Sequence, residues 1–300
     1  MVWPENGWVD ILDKKMSRPV FHTSLGPLEY LLSVPGTWFG IPLFATSLGT
    51  ILVGALACTE KHTEDACRIQ SLAALLCTFA MWYWFNCCYE SKNMKTDDLS
   101  GGIMKAYLPL KGKFSVPLLI LVPHLAIWAI SIIESHSSRA KSAGCFFLCA
   151  WVLSNLLCEC LKTMFHRLRP AAALQKELSV IPRELPQLQV MLRVRSRNSS
   201  FPSGDSAGAA AFYTTCFLIT GQKQLAAYAV LSAFGRMYFH AHHLVDVVTG
   251  LILGYVVTLT LNTCLGGIEG ITWWHFNAAQ LIFLVVWRQM HKFPERSCDS

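Results

Sequence analysis

Charge is what this chain has little of: 15% of its 300 residues are Asp, Glu, Lys or Arg, against about 25% in an average soluble domain. With 53% hydrophobic residues and a mean hydropathy of +0.39, this excludes an ordinary water-soluble domain and predicts a polytopic membrane protein. There is no lysine-rich run and no internal repeat, so no nucleic-acid partner is expected. Met1 to Lys15 has no long apolar centre and carries Glu5, Asp10 and Asp13, which argues against a cleaved signal peptide. The 12 cysteines lack a repeated Cys-x-x-Cys spacing, and Cys77, Cys87, Cys88, Cys145, Cys149, Cys158, Cys160 and Cys216 fall mostly inside apolar stretches. They read as small buried hydrophobes, without a structural disulfide.

What is present is a series of stretches without charge. They run over 30–59, 69–89, 114–133, 142–158, 206–222, 247–268 and 270–287, with a shorter one at 224–235. A spanning helix needs roughly 20 mostly apolar residues, so the expected fold class is all-α, a transmembrane helix bundle of about seven or eight spans. The domain organisation that follows is an N-terminal segment, 1–36, with Gly26 to Pro35 lying along the membrane surface. One membrane-embedded unit, 37–288, follows, with catalytic loops at 162–205 and 236–246. A tail, 289–300, ends the chain.

Three polar clusters interrupt the apolar pattern. In the first, Glu159, Lys162, His166 and Arg169 stand at helical spacing, and the spacing predicts one helical face ended by Pro170. Alone it would be a basic helix end reaching for the membrane surface. The second, Phe201-Pro202-Ser203-Gly204-Asp205-Ser206, precedes an uncharged run and reads as a capped helix start. Such a start also offers N–H groups to an anion. The third is Arg236 followed by His242 and Asp246. If 242–246 is helical, His242 and Asp246 lie one turn apart, and the aspartate holds one imidazole nitrogen protonated while the other acts as nucleophile or base. His240 and His243 would point elsewhere, as packing or interfacial residues. Together the clusters make a phosphate pocket with a nucleophile, because the planar fork of arginine binds phosphate oxygens in pairs.

Lys162-x6-Arg169-Pro170, then Pro202-Ser203-Gly204, then Arg236-x5-His242-x3-Asp246 resembles the three-part signature of the type 2 phosphatidic acid phosphatase superfamily. That superfamily includes lipid phosphate phosphatases and polyisoprenoid diphosphate phosphatases. The motifs cover 162–246, and the remainder resembles the family only in hydropathy: a six-helix core with one extra span on each side. The resemblance implies that His242 attacks phosphorus to form a phosphohistidine and that Asp246 orients it. Lys162, Arg169 and Arg236 would neutralise the phosphoryl oxygens, with Ser203 and Gly204 adding hydroxyl and backbone donors. Two positions depart from the family. Gly235 replaces a serine, and Asp205 stands where the family has the histidine that protonates the leaving group. Asp205 is therefore either a general acid in place of that histidine, or a sign that the substrate is a diphosphate with an easier leaving group, or a sign of binding without much turnover.

The expected function is hydrolysis of lipid phosphates or isoprenoid diphosphates within the bilayer, in the endoplasmic reticulum or another endomembrane. No cofactor and no metal is expected. A lipid phosphotransferase of the same architecture and a non-catalytic scaffold are the alternatives. Basic residues at Lys14, Lys15 and Arg18, in the 90–113 loop and in the tail outweigh Lys61, Arg68, Arg139, Lys141 and Lys223. That bias favours a cytoplasmic site, whereas the resemblance suggests the lumen or the exterior. The basic loop Ala171–Ser200 would either recruit anionic headgroups or form a solvated lid.

Overall fold

The computed structural model describes residues 7–25, 49–58, 138–170 and 199–290. The predicted spans 69–89 and 114–133, the surface segment Gly26–Pro35 and most of the Ala171–Ser200 loop lie outside the described residues. Within them, eight α-helices follow in order: α1 (Trp8–His22), α2 (Thr50–Cys58), α3 (Ser138–Met164), α4 (Gly204–Thr220), α5 (Lys223–Ala227), α6 (Ala229–Tyr238), α7 (Leu244–Cys264) and α8 (Trp273–Met290). A short 3-10 turn, Ile268–Gly270, joins the last two, and the described residues contain no strand. Two of the helices, α3 and α7, are long and apolar enough to cross a membrane. The other expected spans are shorter here or fall outside the described residues.

The core gathers around α3. Phe146, Phe147, Leu148 and Trp151 are buried against Val53 and Ala57 of α2, Cys216 and Ile219 of α4, and Phe276 and Ala279 of α8. On α7 the apolar residues do the opposite. Val248, Ile252, Val256 and Leu259 recur every three or four positions and are exposed, which is the face a lipid-contacting helix presents. In lipid, apolar faces gain little by meeting each other, so helices associate through close backbone approach at small residues. The α4–α7 seam is built this way. A Cβ at Gly250 would run into the carbonyl oxygen of Ser203 and approach Ser206 Cβ to 3.1 Å; one at Gly254 would run into Ala207 O and reach Ala210 Cβ at 2.6 Å. These glycines let the start of α4 lie directly on α7.

Helix ends place the polar clusters. Ser203 caps α4, its Oγ accepting from the Ser206 N–H at 3.3 Å, and Gly221 ends the helix at φ 72°, a value that costs glycine nothing. At α7, the Asp246 side chain reaches back to accept the His243 N–H at 2.9 Å, one half of a capping box.

The structure corrects two local expectations. First, α3 stops at Met164, not before Pro170, so Glu159, Lys162, His166 and Arg169 do not share one helical face. Beyond Phe165, whose N–H closes the last turn on Leu161 O (2.8 Å), the chain pairs with 199–201 instead. The Arg167 N–H bonds Ser199 Oγ, the Ser200 N–H bonds Arg167 O, and Ser200 Oγ bonds Leu168 O. His166 is left exposed. Second, α7 begins at Leu244, so His242 precedes the helix and does not sit one helical turn from Asp246.

The candidate active site

The C-terminal end of α3, the N-terminus of α4, the end of α6 and the start of α7 converge. His242 lies in the α6–α7 connection and is buried. Its Nδ1 is 2.7 Å from the carbonyl oxygen of Ser200. A carbonyl only accepts, so Nδ1 carries the proton and donates it, which leaves the lone pair on Nε2. That Nε2 lies 3.3 Å from Nη1 of Arg169, which also donates to Ala241 O at 3.0 Å. Burial pushes the His242 pKa well below its ordinary value. The nearby cations Arg169, Arg236 and Lys162 push it the same way, against Asp205. The imidazole is therefore neutral at neutral pH, the form a nucleophile needs.

The sequence expectation gave Asp246 the task of orienting His242. In the structure its Oδ2 is 3.8 Å from His242 Nδ1, beyond hydrogen-bond reach, and the Ser200 carbonyl holds the ring instead. The carboxylate of Asp246 is engaged elsewhere: by Arg167, Nη1 to Oδ1 at 2.6 Å, and by the His243 N–H. Its backbone oxygen accepts the Ser203 N–H at 3.0 Å. This bond ties the second motif to the third. It also takes the Ser203 N–H away from any anion, while the Ser203 Oγ accepts from the Ser206 N–H and from the Ser206 hydroxyl at 2.9 Å and still has its own proton to donate. Gly204 keeps the anion-facing part of the expectation. A Cβ built on it would lie 3.6 Å from Lys162 Nζ, so the lysine reaches the first turn of α4, where helix geometry leaves N–H groups without an intrahelical acceptor.

The remaining predicted residues are charges in pairs. Arg236 Nε lies 3.1 Å from Asp205 Oδ2, both side chains almost fully covered. Lys162 is held by Glu159 at 2.5 Å, partly open to solvent. The resting site thus has three cations, Lys162, Arg169 and Arg236, with Glu159 facing the first and Asp205 the last. Among the described residues no group of three His, Cys, Asp or Glu side chains is placed to hold a metal ion.

Sequence reasoning missed Arg167 and the whole of α1. Arg167 is buried, and its Nη2 contacts Asp10 Oδ1 at 3.1 Å and Asp13 Oδ2 at 2.6 Å, both from α1, while Nη1 holds Asp246. Burial opposes its charge, but the carboxylates of Asp246 and Asp13 outweigh that and raise its pKa. The carboxylates outnumber the guanidinium, and burial raises the pKa of Asp13 against the pull of Arg167. The signal for α1 was the spacing of Asp10, Asp13, Ser17 and Phe21, one polar-to-aromatic helical face, opposite Trp8, Ile11, Leu12 and Met16. His240 packs the other way, its Nε2 at 3.1 Å from Phe21 O and its ring edge-on to Phe21, as its expected packing role required.

The family model of the PAP2 superfamily matches residues 143–268. Over this stretch, under half of the chain, the sequence is similar to the PAP2 superfamily. Every residue of the three motif groups lies inside the match, as does Arg167, whereas α1 lies outside it. No curated protein and no solved structure matches the chain. Members of that superfamily are phosphatases, which hydrolyse phosphoric esters.

Proposed function

We propose that this protein is a multi-pass membrane phosphatase of an endomembrane, acting on lipid phosphates or isoprenoid diphosphates through a phosphohistidine. The observation that carries the reading is the tautomer of His242: Nδ1 bound to Ser200 O leaves the Nε2 lone pair beside the Arg169 guanidinium. In the first step Nε2 attacks phosphorus, an N–P bond forms and the P–O bond to the leaving group breaks. Arg169, Arg236 and Lys162 stabilise the charge gathering on the phosphoryl oxygens. In the second step water attacks phosphorus, the N–P bond breaks to release phosphate and free His242, and the proton of the water goes to the Asp205 carboxylate that gave one up in the first step. No step requires a metal ion.

Asp205 is the proton donor in this reading. In the resting site it is the counter-ion of Arg236, and a substrate phosphate entering beside it brings a second anion. Two close anions favour proton uptake by one of them, and the proton on Asp205 then passes to the leaving oxygen. The membrane assignment is supported by the apolar lengths of α3 and α7 and by the lipid-type face of α7.

The test is phosphate release by purified protein in detergent from lysophosphatidate and from farnesyl diphosphate, with His242→Ala and Asp205→His alongside. Both substrates should lose turnover in His242→Ala, and Asp205→His should favour the monophosphate, whose leaving alkoxide needs a proton more. Full activity in His242→Ala would sink the mechanism.

A further inference from the structure

The acidic face of α1 does something its position outside the PAP2 match does not explain. The first N–H groups of a helix lack intrahelical acceptors, and at α7 two of them are satisfied from α1. Leu244 N–H donates to Ser17 Oγ at 3.0 Å, and Val245 N–H donates to Asp13 Oδ1 at 2.9 Å. The other oxygen of Asp13 holds Arg167, which holds Asp246. Asp10 adds a second carboxylate to the same guanidinium and is itself bridged by Lys14 at 3.1 Å. The Ser17 hydroxyl lies 3.5 Å from Asp13 Oδ1. Asp10, Asp13, Ser17, Arg167 and Asp246 are all buried, and the links that leave α1 end on the first turn of α7 or on Arg167 of the non-helical segment 165–169 that bears Arg169.

We propose that α1 is a positioning element of the catalytic centre, in which Asp13 and Ser17, with Arg167 between α1 and Asp246, fix the start of α7 and hence the His242 connection. The proposal rests on the phosphatase reading above. None of the three residues contacts His242, so they act through the placement of Asp246, of the α7 N-terminus and of the Arg167–Arg169 segment. The Nε2 of His242 has to meet phosphorus in line, and a displacement of about 1 Å at a reacting atom costs about a hundred-fold in rate. Removing Ser17 Oγ takes one hydrogen bond from the turn; removing the Asp13 carboxylate takes a cap and one side of the Arg167 clamp. The second loss is the larger because it also leaves a buried guanidinium with less counter-charge.

The experiment uses the full-length protein in detergent, with phosphate release from lysophosphatidate and farnesyl diphosphate measured across substrate concentration. Asp13→Ala should lower kcat by about a hundred-fold and Ser17→Ala by about three- to ten-fold, both with KM within about two-fold of wild type. Ser17→Thr, which keeps the hydroxyl, should restore the Ser17→Ala loss. Trp8→Ala, on the outward face of α1, should leave kcat unchanged. Hydrogen exchange should show faster exchange at Leu244 and Val245 in Ser17→Ala while the α4 amides stay protected. A folded Ser17→Ala and Asp13→Ala pair with wild-type kcat would overturn the positioning role and leave the phosphatase reading standing. A drop in kcat that Ser17→Thr fails to restore would overturn it as well. Absence of turnover by wild type on both substrates would instead remove the phosphatase reading on which the proposal rests.

Discussion

Arg167 and Arg169 are separated by one residue, are both buried and lie on the same non-helical segment, yet they do opposite work. Arg167 is enclosed by the carboxylates of Asp10, Asp13 and Asp246. Arg169 donates to a neutral carbonyl and faces the lone pair of His242. The first has its charge answered inside the protein and serves as a tie between α1, the 165–169 segment and α7. The second stands beside the imidazole nitrogen that attacks in the proposed reaction. A basic residue near a phosphate site is therefore identified as binding or structural by its partners.

The comparison breaks first at the nucleophile both arginines surround. His242→Ala should lower phosphate release on the order of 10⁴-fold or more, with the protein still folded by thermal melting. Next comes Arg167→Ala, which takes the guanidinium from among three buried carboxylates and should cost about 3–5 kcal/mol of stability, read as a lower melting temperature. Arg169→Lys should do the reverse. It keeps charge but loses the planar fork, so kcat/KM should fall about 10²-fold with melting nearly unchanged. Equal melting losses in the two arginine variants would erase the distinction drawn here.

The smallest effect is in pH dependence. His242 has its folded-state pKa held below the ordinary value of 6.5, so the neutral nucleophile persists as pH falls. Between pH 7.5 and 5.5, kcat should lose less through this group than the about ten-fold that a histidine titrating near 6.5 would lose. The same depressed value means the unfolded chain takes up the proton first, so stability falls as pH drops below about 6.5. His243, lowered to about 4 chiefly by burial, adds to that fall between pH 6.5 and 4. A melting temperature flat across this window would contradict both placements.

Much of this was readable in the residues. The runs 206–222 and 247–268 became α4 and α7 within a few residues, because uninterrupted apolar length is a strong signal. The capped start of α4 was legible from turn chemistry, and the structure puts the cap at Ser203. The segment after Met164 was misread because Glu159, Lys162, His166 and Arg169 fit helical spacing, whereas the partners that pull the chain out of the helix, Ser199 to Phe201, are more than thirty residues on. The α1 helix was missed because its pattern is inverted: Asp10 and Asp13 face inward while Trp8 and Ile11 face out. Carboxylates are buried only where a cation meets them, and Arg167 gives no hint in the sequence of which carboxylates it will find.

The length of α3 has a bearing on how substrate arrives. Its 27 residues rise about 40 Å, about 10 Å more than the hydrocarbon layer. Its last turns, with Lys162, therefore stand at headgroup depth in the proposed bilayer. A lipid can then offer its phosphate to His242 by sliding sideways while its tail stays among the acyl chains. The concentration that matters is the mole fraction of substrate in the membrane plane. Diluting it with inert lipid should slow the enzyme, and adding buffer should not.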